Sequence, residues 1–229
     1  MPFPTTGPIE GVVFDFHATL VDQGDGATWL GLGWARAGRA GTPEQHLGAA
    51  RVAALAARLD RVWEDARQVD PTSRRDTSAG AHREVFAAVL AGAPDTDPDL
   101  VEALHTTVTD LWTPYLDAAP TLAALRARGV RTAVVSNIGM DIRPVLARGG
   151  LTDLVDAVVL SYEVGSVKPH PQIFAHALTR IGVPPERGLM VGDSWRDDGG
   201  AAELGCRVLI LPRTSGDLHG LDQVLRLVG

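Results

Sequence analysis

The sequence contains one cysteine, Cys206, in 229 residues, so no disulfide can form within the chain. Secreted proteins commonly carry disulfides, and the near absence of cysteine therefore favours a reducing compartment. The sequence also lacks a run of roughly 18 uncharged apolar residues, the length needed to cross a bilayer. Its N-terminus has neither the basic nor the apolar part of a secretory signal. We therefore expect a cytoplasmic protein that has no membrane partner.

Basic residues are in the minority. Lysine and arginine number 21 against 28 aspartate and glutamate residues, which gives a net charge of −7, and no basic run occurs. Nucleic acids and anionic membrane surfaces bind basic patches, so neither is expected as a partner. The content of 45% hydrophobic and 21% charged residues is that of an ordinary globular protein. We expect a small-molecule partner and a monomer or small homo-oligomer.

Five short, apolar segments rich in β-branched residues predict buried strands. They are Gly11 to Phe16, Val130 to Ser136, Asp156 to Ser161, Gly188 to Asp193 and Cys206 to Pro212. From the second strand onward, segments with apolar residues three and four positions apart lie between them, as in helices. Because strand and helix alternate, the sequence predicts an α/β fold with a doubly wound, Rossmann-like parallel sheet.

The segment from about Gly24 to Thr113 contains no convincing strand and is rich in Ala, Leu and Arg at helical spacing. It predicts an α-helical cap domain over residues 22–113, inserted into a core domain formed by residues 1–21 and 114–229. The apolar stripe from Glu44 to Val69 predicts one long helix, and we expect three or four cap helices in total.

Polar residues cluster at or just beyond the ends of the predicted strands. They are Asp15, Ser136, Asn137, Lys168, Asp193, Asp197 and Asp198. Each one alone is also explained by the preference of turns for Asp, Ser and Asn. In a doubly wound sheet, however, the carboxyl ends of the strands form the ligand crevice, so the set predicts a site there.

Four segments that contain these residues resemble the four motifs of the haloacid dehalogenase superfamily, in the correct order. They are DFHATL from Asp15, VVSN from Val134, VGSVKPHPQIF from Val164 and VGDSWRDDGGAAELG from Val191. The resemblance extends from about Ile9 to about Arg213 and puts the helical insertion where this family has its C1-type cap. It implies a hydrolase.

The resemblance also implies catalytic roles. Asp15 would attack phosphorus and form an aspartyl phosphate, which divides a difficult hydrolysis into two easier displacements. Lys168 would supply a fixed positive charge beside it. Asp15, Asp193, Asp198 and the backbone carbonyl of His17 would hold Mg²⁺, which prefers oxygen ligands.

Phosphate binding is implied for a second group of residues. Ser136 and the amide of Asn137 would bind phosphoryl oxygens, and Thr19 with the amides around it would complete the cradle. Asp197 competes with Asp198 for the last metal-side position. We prefer Asp198, because the small residues that follow it resemble the family's entry into the next helix, and Asp197 would then cap that helix.

His17 is the main departure from the family pattern. It stands two residues after Asp15, where most phosphatases of the family have an acid/base aspartate. Its place at the end of a buried strand predicts that it faces the crevice, but whether it acts as acid, base or neither stays open.

Three functions compete. The first is a magnesium-dependent phosphomonoesterase that acts on a small phosphorylated metabolite. The second is a metal-free 2-haloacid dehalogenase, in which the same aspartate attacks carbon; such relatives also lack the second acid of motif one, but lose the leading acid of motif four, which Asp193 retains here. The third is a degenerate, non-catalytic binding protein, against which the retention of Asp15, Ser136, Lys168 and Asp193 argues.

Other polar residues receive no role in the site. Arg74 and Arg75 are neighbours on a polar segment and are predicted to be solvated. The remaining histidines show no zinc-ligand spacing, and surface or capping positions are expected for them. They are His46, His82, His105, His170, His176 and His219.

Overall fold

The computed structural model describes residues 7–214 and 216–229. The chain forms two compact units. The first, called the core unit, consists of Met1–Asp22 and Pro114–Gly229, and the second, called the helical unit, consists of Gln23–Thr113. Among the described residues, no helix combines the length and the apolar character needed to cross a membrane.

The strands are short and, apart from two, belong to one sheet of the core unit. In chain order they are β1 Gly11–Phe14, β2 Val21–Asp22, β3 Thr113–Pro114, β4 Arg131–Ser136, β5 Ala157–Leu160, β6 Gly188–Gly192 and β7 Arg207–Ile210. The five-stranded sheet has the order β5-β4-β1-β6-β7, and its strand pairs are parallel. The predicted α/β fold with a central parallel sheet is confirmed.

This strand order places the first strand in the middle. The chain runs from β1 outward to β4 and β5, then returns to the other side of β1 for β6 and β7. Such a reversal is the point at which open α/β sheets hold their ligands, outside the carboxyl ends of the strands. The residues that follow β1, β4 and β6 are therefore brought to one edge of the sheet.

The α-helices alternate with the strands in the core unit and fill the helical unit. In chain order they are α1 Gly26–Arg36, α2 Pro43–Leu47, α3 Ala49–Asp60, α4 Val62–Val69, α5 Ala79–Leu90, α6 Pro98–Leu111, α7 Ala118–Ala127, α8 Arg143–Arg148, α9 Ser161–Val164, α10 Pro171–Ile181 and α11 Asp222–Leu227. Short 3₁₀ helices occupy Arg74–Asp76, Thr152–Leu154, Pro185–Arg187 and Asp198–Leu204.

The core of the first unit forms between the sheet and α10. Strands β1 and β6 are buried along their whole length, as expected for parallel strands that have no solvated face. In the register of β1, Val13 lies between Ala133 and Met190. All three belong to the apolar cluster that also contains Ile173 and Phe174 of α10.

In the helical unit, the prediction of one long helix from Glu44 to Val69 is wrong. Three helices, α2 to α4, occupy this segment. Gly48 ends α2 with φ +78°, a left-handed backbone conformation that glycine adopts without strain. Arg61 ends α3 and precedes α4 with ψ near 0°. The unit therefore has more helices than the three or four predicted, and α1 is an addition.

Helix α1 packs closely against α6. Asp25 caps its N-terminus by accepting hydrogen bonds from the amides of Ala27 and Thr28, at 3.0 and 2.9 Å. A Cβ atom on Gly33 would lie 2.6 Å from a methyl carbon of Leu104. The close packing of α1 against α6 thus requires glycine at position 33.

The surface positions predicted for three side chains are also wrong. Arg75 is buried, with its guanidinium 3.4 Å from Asp70 and 3.4 Å from Asp76, because two acids compensate its charge. His82 is buried too, and its Nδ1 lies 3.0 Å from Nε2 of His105. A further buried histidine, His219, packs on Tyr115. By contrast, His170 caps α10 as expected, accepting from the amide of Gln172 at 3.2 Å.

Candidate active site

Asp15 lies directly after β1, at the centre of the sheet. Its amide donates to the carbonyl of Val191 in β6 at 2.8 Å, which fixes the backbone at this point. The chain then turns sharply, since the amides of Leu20 and Val21 both donate to the carbonyl of Phe16. Ala18 has φ +51° within this turn. The Asp15 side chain is consequently held at the carboxyl edge of the sheet and is 7% exposed.

Lys168 connects two of the predicted acids. Its Nζ lies 2.5 Å from Oδ1 of Asp15 and 2.7 Å from Oδ1 of Asp198. The side chain of Asn137 fixes the backbone of this lysine: Nδ2 donates to the Lys168 carbonyl at 2.9 Å, and Oδ1 accepts from its amide at 2.7 Å. Asn137, directly after β4, therefore contributes to the site by positioning Lys168.

The charge of Lys168 compensates for the burial of these carboxylates. Burial raises the pKa of Asp15, and the nearby lysine opposes that shift. Burial also raises the pKa of Asp198, against the same opposing charge. For Lys168, burial acts to lower the pKa, but Asp15 and Asp198 outweigh it and the pKa is raised, so the ammonium stays charged.

Three carboxylates converge beside this lysine. One oxygen from each of Asp15, Asp193 and Asp198 lies within 4.8 Å of the others. Asp198 is fixed by the amide of Ser194, which donates to Oδ2 at 3.0 Å. A Cβ atom on Gly192 would lie 2.0 Å from Oδ2 of Asp198, so only glycine admits this carboxylate.

This oxygen-only group could hold a metal ion, and its chemistry fits a hard divalent cation such as Mg²⁺. Asp197 has a different environment, because its Oδ2 accepts from the Ser194 hydroxyl at 3.0 Å. Asp198, rather than Asp197, is therefore grouped with Asp15.

The other predicted residues lie close to Asp15 along the chain or after β4. Thr19 Oγ1 donates to Oδ2 of Asp15 at a long 3.4 Å. His17 is half-buried, and its ring meets that of Phe16 edge-on, with centroids 5.0 Å apart. Ser136 ends β4, and its Oγ is buried without a hydrogen-bond partner among the described residues. A buried hydroxyl without a partner is costly unless a ligand or water meets it.

Sequence reasoning missed one residue of the site. Arg213 follows β7, and its Nε lies 2.5 Å from Oδ2 of Asp193. The signal available in the sequence was its position, since the residues after β7 reach the same edge of the sheet as those after β6.

The core unit thus combines a parallel α/β sheet with a buried aspartate, a lysine and two further acids at the carboxyl edge of that sheet. A sequence model of the haloacid dehalogenase-like hydrolase family matches residues 9–205. The chain belongs to this family, as the motif resemblance implies.

The relatives with similar sequences include phosphatases. A glyceraldehyde 3-phosphate phosphatase of Methanopyrus kandleri is 39% identical over 104 residues, which are 43% of this chain and 45% of the relative. A phosphoserine phosphatase of Thermus thermophilus is 37% identical over 141 residues, or 59% of this chain and 56% of the relative. The chain thus spans about half the length of these relatives.

The similar structures include a dehalogenase. L-2-haloacid dehalogenase from Xanthobacter autotrophicus is 27% identical and superposes with a TM-score of 0.64, covering 96% of this chain and 84% of that one. Proteins named as phosphatases and a protein named as a dehalogenase thus both resemble this chain.

Proposed function

We propose that the chain is a magnesium-dependent phosphomonoesterase that hydrolyses a small phosphorylated metabolite through an aspartyl phosphate on Asp15. The observation that carries this proposal is the group of three carboxylates beside Lys168 at the carboxyl edge of the sheet. We also retain a cytoplasmic location and a monomer or small homo-oligomer as proposals.

The first step is a displacement at phosphorus. A carboxylate oxygen of Asp15 forms a bond to phosphorus as the bond to the ester oxygen breaks, and the leaving alkoxide takes a proton from solvent water. Lys168 contacts Asp15 directly and provides one fixed positive charge against the phosphoryl group. The buried hydroxyl of Ser136 and the amide of Asn137 are proposed as donors to phosphoryl oxygens.

The second step returns Asp15 to its carboxylate form. Water attacks the phosphorus, the bond to the Asp15 oxygen breaks, and inorganic phosphate leaves. Thr19 would donate to the phosphoryl group, and His17, two residues after Asp15, is proposed to act on the water or on the leaving group. Asp15, Asp193, Asp198 and the His17 carbonyl would hold Mg²⁺, which would supply positive charge to the phosphoryl oxygens.

The alternative is a metal-free 2-haloacid dehalogenase, which His17 and the dehalogenase-like structure favour. Against it, Asp193 and Asp198 both lie with Asp15 in the three-carboxylate group. These acids repel one another, and a reaction that uses no metal does not need them close together. Loss of catalysis is likewise unsupported, because Asp15, Lys168 and Asp198 make direct contacts.

The test is a screen of phosphorylated metabolites and 2-haloacids, each with Mg²⁺ and with EDTA. Phosphate and halide release are measured in the same samples. The proposal expects phosphate release from at least one metabolite with Mg²⁺ and none with EDTA. Halide release in EDTA without any phosphatase activity would instead establish the dehalogenase.

A further inference from the structure

Arg213 reaches from the protein surface onto a nearly buried acid. Its side chain is 64% exposed, whereas that of Asp193 is 6% exposed. The contact between Nε and Oδ2 is 2.5 Å, a close charge-assisted hydrogen bond. Arg213 lies outside the four motif segments, and the proposed reaction gives it no role.

Two cationic side chains contact different members of the three-carboxylate group. Lys168 contacts Asp15 and Asp198, and Arg213 contacts Asp193. Each carboxylate thus has a cationic partner from the chain itself. The three acids can therefore lie within 4.8 Å of one another with part of their mutual repulsion offset.

A divalent cation at this group would have to share Asp193 with Arg213. If the ion takes Oδ2, the guanidinium must leave that oxygen. If the ion takes the other oxygen, two cations lie on one carboxylate and repel each other. In both cases the arginine lowers the affinity of the group for the ion.

We propose that Arg213 is a positioning residue that competes with the divalent cation for the carboxylate of Asp193. Its guanidinium holds Asp193 in place when no metal is bound, and it lowers the affinity of the site for the metal. This inference rests on the magnesium site of the proposed function. Arg213 thus has opposite effects in the metal-free and the metal-bound protein. Its ion pair with Asp193 stabilises the metal-free protein but opposes binding of the ion.

The test is calorimetric titration of the full chain with Mg²⁺ at fixed ionic strength. The variants are Arg213→Gln, Arg213→Lys and Arg196→Gln. Arg196 is the matched control: it is exposed and lies in the loop between Asp193 and Asp198, but its guanidinium lies over the ring of Trp195, 5.4 Å from the ring centroid. The exposure of Arg213 means that its shortening leaves no cavity.

Arg213→Gln should tighten Mg²⁺ binding by about two- to fivefold, the range that an exposed ion pair provides. Arg213→Lys should stay near the wild type because it keeps the charge, and Arg196→Gln should change the affinity less than Arg213→Gln. In EDTA, Arg213→Gln should also lower the melting temperature, while the rise on adding Mg²⁺ becomes larger. A purely structural role would instead lower both melting temperatures equally.

Unchanged or weaker binding in Arg213→Gln overturns the inference, and so does an equal gain in Arg196→Gln or in Arg213→Lys. In those cases the magnesium site itself stands. If Mg²⁺ binds to neither the wild type nor any variant, the inference and the metal part of the proposed function both fail.

Discussion

Asp15 is the residue on which the proposed chemistry depends, and its buried contact with Lys168 makes a conservative change informative. Asp15→Asn keeps the shape of the side chain but removes the attacking oxygen anion. We expect phosphate release to fall by about 1,000-fold or more, as for other lost nucleophiles. The melting temperature should change little, because a neutral amide avoids the cost of burying a charge and the repulsion by Asp193, and these offset the lost attraction to Lys168.

The assay for Asp15→Asn is phosphate release together with thermal melting. Mass spectrometry of the intact protein controls for deamidation back to aspartate. Turnover close to that of the wild type in a sample free of deamidation would rule out the covalent mechanism.

Gly192 admits Asp198 into the site, and a methyl group there should displace it. In Gly192→Ala, the new Cβ would lie 2.0 Å from Oδ2 of Asp198 and 2.9 Å from its Cβ. We expect a loss of activity and a destabilisation of about 1–3 kcal/mol, typical of overpacking. Gly199→Ala is the matched control, because no atom outside its neighbours lies within 4 Å of a Cβ there.

Activity and urea denaturation of the two glycine variants are the measurements. If both alanines are equally tolerated, the close approach of Asp198 to the end of β6 is not needed for the reaction.

For individual residues, the sequence motifs predicted which side chains lie together in the site but not which contacts position them. Asp15, Lys168 and Asp198 could be predicted because the carboxyl ends of parallel strands share one edge. That the Asn137 side chain fixes the backbone of Lys168 could not, because it depends on a contact across 31 residues of sequence. The ion pair between Arg213 and Asp193 could not be predicted either, because the two residues are 20 positions apart in the sequence.

At the scale of elements, strands were easier to predict than helix breaks. A parallel strand buried on both faces is a short apolar run, and its length and β-branched residues distinguish it from a helix. Helices α3 and α4 share one apolar stripe across the break at Arg61, so periodicity alone could not show it. The burial of Arg75 was not predicted for another reason. Its partner Asp70 is only five residues away in the sequence, but the two side chains meet because the chain turns between them.

His82 of α5 is buried against His105 of α6, and we expect this histidine to make the stability of the protein depend on pH. Burial lowers the pKa of His82 to about 3, and His105 and Arg75 act in the same direction. In the unfolded chain the histidine has a pKa of about 6.5. Below that pH the unfolded state binds a proton that the folded state does not, so stability is lost as the pH falls from about 6.5 towards 3.

The variant His82→Gln removes this proton uptake. We expect its free energy of unfolding to fall less steeply between pH 6.5 and 4 than that of the wild type, whose His82 contributes up to about 1.4 kcal/mol per pH unit. Asp15 and Asp198 have raised pKa values and act in the opposite direction, but equally in both proteins. The control is His176→Gln, at an exposed position of α10. Parallel pH profiles for wild type and His82→Gln would contradict the argument.

At the scale of the whole molecule, the proposed metal ligands all belong to one of the two compact units. Asp15, Asp193 and Asp198 lie in the core unit, and the helical unit is formed by Gln23–Thr113. The alternation of strand and helix made the α/β class predictable, because a parallel sheet requires a crossover between its strands. The packing inside the helical unit was not predictable in this way, because several helix arrangements can bury the same apolar stripes.

The location of these ligands predicts where Mg²⁺ stabilises the protein. At a concentration of about 100 times its dissociation constant, the ion should raise the free energy of unfolding by about 2.7 kcal/mol. Hydrogen exchange measured by mass spectrometry should show the added protection in peptides around β1 and β6, because Asp15 and Asp193 directly follow these strands. Peptides from α5 in the helical unit should change less. EDTA should reverse the effect, and Asp193→Asn should reduce it, since an amide is a weaker ligand than a carboxylate. Protection spread equally over both units, or retained in Asp193→Asn, would show that the stabilising ion binds elsewhere.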